Sequence, residues 1–296
     1  MAAPFFRILG ETLRRFDRDR CFQYSIIISY FALMCAVPLV ALFAWITARV
    51  MGNSEIAVRS LNLFTEDFFA RFSPSFFEKM SSVADSFNQL GWVGIIGSLI
   101  AASLLFSNLI RIINEIFRTN YQRSFVYNRM MEYLIMFVTG VILFVSLSIT
   151  AVWTAVHGAI ESSDFVVTYL NPGVVTFFDN VFIQYLIPLA LSVLVLFVIY
   201  KFIPERKVHT RAALLAAVIA AVLWEVFKRL FVVYVVRFSA IGIVLSKLVQ
   251  GTLTSIIFFL LWLSFSLAIM LWGAELAAVV NERLDARPPA AGQAAA

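Results

Sequence analysis

The chain is poor in the residues that carry chemistry. It has two histidines, two cysteines and only 14% charged residues in a length of 296. Each shortage excludes something. His157 and His209 fall in segments expected on opposite sides of a membrane, so they cannot meet at one metal. Cys21 and Cys35 both lie in the first apolar region and offer neither a disulfide framework nor a metal site. No His-x-His-x-Asp-His run, phosphate-cradling glycine loop or cysteine cluster is present. No enzyme activity, metal or cofactor is therefore expected. Charge is also too sparse to wet a soluble domain of 33.3 kDa, which ordinarily carries about 25% charged residues.

What the chain has instead is apolar sequence, 61% of all residues. Uncharged runs cover 22–48, 86–110, 133–160, 180–200 and 248–274. A transmembrane helix needs about 20 residues, and backbone inside lipid must satisfy its own hydrogen bonds, so these runs are expected to be helices. A sixth run from Ala212 to Val236 is interrupted by Glu225, Lys228 and Arg229. The prediction is an all-α, polytopic bundle with spans at 22–48, 90–112, 133–157, 180–201, 212–236 and 250–275, forming one membrane domain over 1–285. Residues 286–296, rich in proline and alanine, are expected to be a disordered tail. The external segment 51–87 has apolar residues every third or fourth position on either side of Pro74. Two amphipathic helices are expected there, lying on the outer membrane surface or acting as a lid or partner site.

Orientation follows from lysine and arginine. The N-terminus, the loops at 111–129 and 201–211 and the tail carry fifteen of them, and the alternate segments carry eight. Both termini are thus expected in the cytoplasm. The net charge of +5 gathers at the ends of apolar runs rather than in one stripe, so topology accounts for it and a nucleic-acid partner is not expected. Met1 to Arg20 is polar and arginine-rich, which argues against a cleaved signal and for a retained first span.

Polar residues in or beside lipid are the candidates for function, because a mid-bilayer charge costs about 2.5–3.5 kcal/mol and should be paired. Arg111, Asn114, Glu115 and Arg118 follow i, i+3, i+4 and i+7 on one face near the cytoplasmic mouth. Turned inward they form a polar cluster; turned outward they are anchors. Glu275 follows two small residues, Gly273 and Ala274, and is expected to pair with Arg111 or Arg118 at equal depth. Glu225 with Lys228 and Arg229 either neutralises itself within the helix or lines a path for an anionic headgroup. Pro38 and Pro188 should kink their spans, and Gly251 and Gly273 mark kinks or close helix approach.

Several stretches resemble the YihY/BrkB membrane proteins, many of which carry the old name ribonuclease BN. Ser29-Tyr30-Phe31-Ala32-Leu33 with Pro38 is similar to that family's Ala-Tyr-Tyr...Pro signature, and Asn114-Glu115-Ile116-Phe117 to its Asn-Arg-Ile element. Lys201 to Val208 resembles the internal loop, and Leu223-Trp224-Glu225 with Phe231 and Tyr234 the fifth span. Leu261-Trp262-Leu263 leading to Gly273-Ala274-Glu275-Leu276 is similar to the closing Trp...Gly-Ala-Glu-Leu pattern. Where the family reads Tyr-Gly-Ser-Leu, this chain has Gln250-Gly251-Thr252-Leu253. The resemblance implies a bacterial inner-membrane protein of six helices linked to envelope integrity and to traffic in lipid or lipopolysaccharide precursors. Two functions are carried forward: a transporter or flippase of lipid or another amphipathic envelope component, and a non-catalytic envelope scaffold or assembly protein. Expected partners are membrane lipids, an anionic lipid or lipopolysaccharide precursor among them, and a second copy of the chain.

Overall fold

A computed structural model of the chain describes residues 2–35, 96–97, 99–119, 129–131, 133–142, 186–238 and 251–286. Among the described residues the structure is helical with no strand, an all-α membrane bundle. Helix α1 is Ala2–Arg18 and α2 is Cys21–Cys35. They are followed by α3 at Leu99–Ile116 and α4 at 133–142. The remaining helices are α5 at Ile187–Phe202, α6 at Thr210–Phe238 and α7 at Gly251–Asp285. Helices α2 to α7 fall on the six apolar runs. The expected external segment 51–87, Pro38, His157 and the tail beyond Ala286 lie outside the described residues.

Apolar composition and length make three of these helices spans in their own right. The apolar windows have mean hydropathies of 1.5 in α3, 1.8 in α6 and 2.3 in α7. At about 1.5 Å per residue, the 29 residues of α6 and 35 of α7 extend roughly 43 and 52 Å, beyond a hydrocarbon core of about 30 Å. Both helices therefore project from the membrane, and α7 carries its last turns and their charges well past Glu275. Exposed apolar side chains such as Ile26, Ile100, Leu214 and Leu230 give α2, α3 and α6 a lipid-facing shell.

Helix α6 is the hub, packed against both α5 and α7. Its packing face is a stripe of wholly buried alanines, Ala213, Ala216, Ala217 and Ala220, at i, i+3, i+4 and i+7. Between helices in lipid, where apolar surface gains little by leaving its solvent, close backbone approach supplies dispersion contacts instead. Gly273 completes that fit from α7. A Cβ at Gly273 would lie 2.2 Å from Tyr200 Oη and 2.7 Å from Ala220 Cβ, so only hydrogen fits there. Tyr200 is wholly buried at this junction, and its hydroxyl donates to the Met270 carbonyl at 2.7 Å. Pro188 stands in the first turn of α5, with Leu186 in π geometry just ahead. The residues before Leu186, and with them the kink expected at Pro188, lie outside the described ones.

Helix α1 is an element that the arginine-rich N-terminus concealed. It meets α2 at a sharp corner where Arg20 is left-handed, with φ 52°, and it packs against the end of α7. Cysteine and serine contacts seam α2 to its neighbours: Cys35 Sγ donates to the Ala101 carbonyl at 2.8 Å, and the Ser29 and Ser264 hydroxyls lie 2.8 Å apart.

Candidate functional site

The charged and polar side chains gather at the end of the bundle where α1 meets α2, α3 ends, α5 turns into α6, and α7 projects. The turn between α5 and α6 is held by side chains from elsewhere. Asn114 Oδ1 on α3 accepts the Glu205 N–H at 2.9 Å, and Asn281 Oδ1 on α7 accepts the His209 N–H at 2.7 Å. Asn281 is all but buried, and its amide donates to the Lys207 carbonyl at 3.4 Å. Asp285 binds Arg206 at 2.7 Å and His209 at 2.9 Å. The backbone of 205–209, which cannot satisfy itself as a helix would, is thus partnered by α3 and α7.

This held turn walls a cleft of about 680 Å³. Met131, Phe202 and Pro204 give it an apolar side; Lys201, Arg206 and Lys207 bring three cations to its wall and Glu205 and Asp285 two carboxylates, Asp285 being paired with Arg206. Lys201 Nζ donates to the Val208 carbonyl, which fixes its charge at the wall. Phe202 is 55% exposed, so the apolar side opens toward the surface of the bundle. With three cations against two carboxylates beside an apolar flank, the cleft suits a molecule with an anionic head and a greasy body through Lys201 and Lys207 rather than the paired Arg206.

Beside the cleft, α1 is clamped to α7. Arg15 donates to Glu282 at 2.7 Å and to Glu11 at 2.8 Å, and Arg283 donates to Glu11 at 2.6 Å. The hydrogen bond from Arg283, with further help from Arg15, holds the Glu11 carboxyl below its ordinary value against the opposing effect of burial. Arg15 is held more firmly protonated chiefly by its hydrogen bond to Glu282.

The expected stripe on α3 is divided. Arg111 and Glu115 are exposed, and Glu115 accepts a hydrogen bond from the Tyr24 hydroxyl at 2.9 Å. Asn114 alone turns to the α5–α6 turn. Arg118 is not on the helical face: α3 ends at Ile116, Arg118 is left-handed with φ 51°, and its guanidinium lies 3.4 Å from Asp19. The buried face of α3 is apolar, formed by Ile112, Ile113 and Ile116.

Glu275 corrects the pairing expected for it. It is wholly buried, and its Oε1 lies 3.6 Å from Cys21 Sγ, while Arg118 reaches Asp19 instead. Asp19 stands by both: it takes the Arg118 guanidinium at 3.4 Å and lies within hydrogen-bonding reach of Glu275. Glu225 and Lys228 form an ion pair at 2.6 Å, and Lys228 Nζ stands 4.5 Å over the Trp224 ring. Arg229 is exposed on the same helix, and Gly251 is the first residue of α7. None of these lies in the cleft. Lys201, Lys207, His209 and Asn281 were not singled out from the sequence, although the charge run at 201–211 was its signal.

The chain matches the family described as Virulence factor BrkB over residues 12–296. It is similar to a UPF0761 membrane protein of Acinetobacter baylyi, 26% identical over 96% of this chain and 65% of the relative. A UPF0761 membrane protein of Alteromonas mediterranea is 24% identical over 96% of this chain and 91% of its own length. One of Halorhodospira halophila is 26% identical over 91% of this chain and 56% of the relative. The chain thus spans a little under two thirds of the Acinetobacter protein and little more than half of the Halorhodospira one. No solved structure matches. With a match that begins at Thr12 in α1 and takes in every later helix, the chain belongs to the BrkB family of membrane proteins.

Proposed function

We propose that the protein carries an amphipathic, anionic envelope component, a phospholipid or a lipid-linked precursor, between the leaflets of the bacterial inner membrane. The observation that supports this reading is the cleft of about 680 Å³ beside the α5–α6 turn, lined by Lys201 and Lys207, by Arg206 in its pair with Asp285, by Glu205, and by the apolar Met131 and Phe202. Lysine ammoniums bind phosphate as point charges, and the exposed Phe202 offers an acyl chain a continuous apolar route to the bilayer. The lysine and arginine bias supports a cytoplasmic position for this end of the bundle, from which the cleft would receive the headgroup from the inner leaflet. The protein acts as a carrier in this reading and makes or breaks no covalent bond.

The test is reconstitution into vesicles containing a fluorescent phosphatidylglycerol, with a membrane-impermeant quencher reporting the outer leaflet. The expected result is leaflet exchange well above that of protein-free vesicles, slowed severalfold in the Lys201→Gln/Lys207→Gln double variant at unchanged thermal midpoint. Exchange no faster than in protein-free vesicles would overturn the carrier reading and favour a non-catalytic scaffold.

A further inference from the structure

We propose that α1 is an in-plane helix that reads anionic lipid: Phe6 and Leu13 dip into the acyl boundary while Arg7, Arg14 and Arg18 hold headgroup phosphates. The inference does not rest on the carrier reading.

The placement of α1 comes first. Glu11 and Arg15, one turn apart on α1, meet Arg283 and Glu282, which are adjacent on α7. A step of about 6 Å along α1 therefore matches a step of about 1.5 Å along α7, and α1 crosses the end of α7 rather than running beside it. The left-handed corner at Arg20 turns the chain from this crossing directly into α2, which enters the membrane. Helix α1 thus lies across the charged end of the bundle, close to the level of the lipid headgroups.

Its surface then divides into three sectors. Thr12, with Ile8 and Phe16 beside it, faces the bundle core. At roughly 100° per residue, Leu13 and Phe6 point within about 20° of each other, on the flank adjoining that core face. They are 62% and 69% exposed, too apolar a pair to be left in water on a helix one corner away from lipid. Arg14, Arg7 and Arg18 follow about 100° further round, clustered within roughly 40°. All three are exposed, and Arg18, 58% exposed, also touches Asp19. Between the two sectors lie Gly10, with nothing near its Cβ position, and Asp17, the one exposed carboxylate of the outward face. An apolar flank joined to a cationic arc is the pattern of helices buried about 5–10 Å into the headgroup layer, and the excess of guanidinium over carboxylate selects anionic lipid.

The full chain, with Cys21 and Cys35 replaced by alanine, is placed in lipid nanodiscs of phosphatidylcholine with or without phosphatidylglycerol. Spin labels at Leu13→Cys and Arg14→Cys report collision with oxygen, which concentrates in lipid, and with a water-soluble nickel complex. The expected oxygen-to-nickel ratio is severalfold higher at position 13 than at 14. It falls at least by half in anionic discs when Arg7, Arg14 and Arg18 are replaced by glutamine in the position-13 chain, and changes little in neutral discs. A position-13 label open to nickel in both kinds of disc would overturn the proposal by placing the flank in water. A label shielded from both reagents would overturn it in favour of a covering protein.

Discussion

At the scale of single residues, the narrowest tolerance in the molecule is at Gly273. Its missing Cβ is the space in which the Tyr200 hydroxyl and the Ala220 methyl meet α7. Overpacking of this kind costs about 1–3 kcal/mol, so Gly273→Ala should lower the thermal midpoint of the detergent-solubilised protein by several degrees. Adding Tyr200→Phe should recover only part of the loss. It removes the atom at 2.2 Å but leaves Ala220 Cβ at 2.7 Å, and it abandons the hydrogen bond to Met270. A Gly273→Ala protein as stable as the parent would show that α7 shifts without cost. Asn281 exemplifies the same economy with polar atoms, since one amide holds the α5–α6 turn through His209 and Lys207.

At the scale of elements, the docking of α1 on α7 depends on pH through Glu11. Arg283 and Arg15 hold the Glu11 carboxyl below its ordinary value of 4.5, so the bound state prefers the carboxylate. The clamp is therefore fully present above that value and is lost as pH falls through the depressed one. Distances between spin labels at Leu13 and Ala286 should be narrow at neutral pH and broaden under acid below about 4. Glu11→Gln should broaden them at neutral pH and weaken the acid dependence, since only the Arg15–Glu282 pair then remains; a parent distribution unchanged by acid would leave the clamp without weight. The six apolar runs announced α2 to α7, because lipid allows such runs no other form. Helix α1 was hidden because its bundle-facing positions, the apolar Ile8 and Phe16 with the polar Thr12 between them, are diluted by five arginines before residue 21 and matter only once α7 projects beyond the membrane to meet them. The cleft was hidden because Met131, the turn at 201–209 and Asp285 are far apart in the sequence and meet only where Asn114 of α3 and Asn281 of α7 hold that turn.

At the scale of the whole molecule, the number of spans turns on α6, whose three charges interrupt the fifth apolar helix of the sequence. The ion pair between Glu225 and Lys228 removes most of the objection, with the ammonium over Trp224 adding to it. A lone charge at depth costs about 2.5–3.5 kcal/mol, enough to let a share of chains fail to insert α6 and send α7 the wrong way. A reporter fused after α7 should therefore show a mixed orientation in Lys228→Met, where Glu225 loses its partner at 2.6 Å. The double variant Glu225→Gln/Lys228→Met should restore a single orientation, since both charges are gone together. The pair neutralises itself and lies outside the cleft, so the double variant should also keep the parent rate of leaflet exchange. Loss of exchange in a correctly oriented double variant would move the proposed lipid path from the α5–α6 cleft to the face of α6.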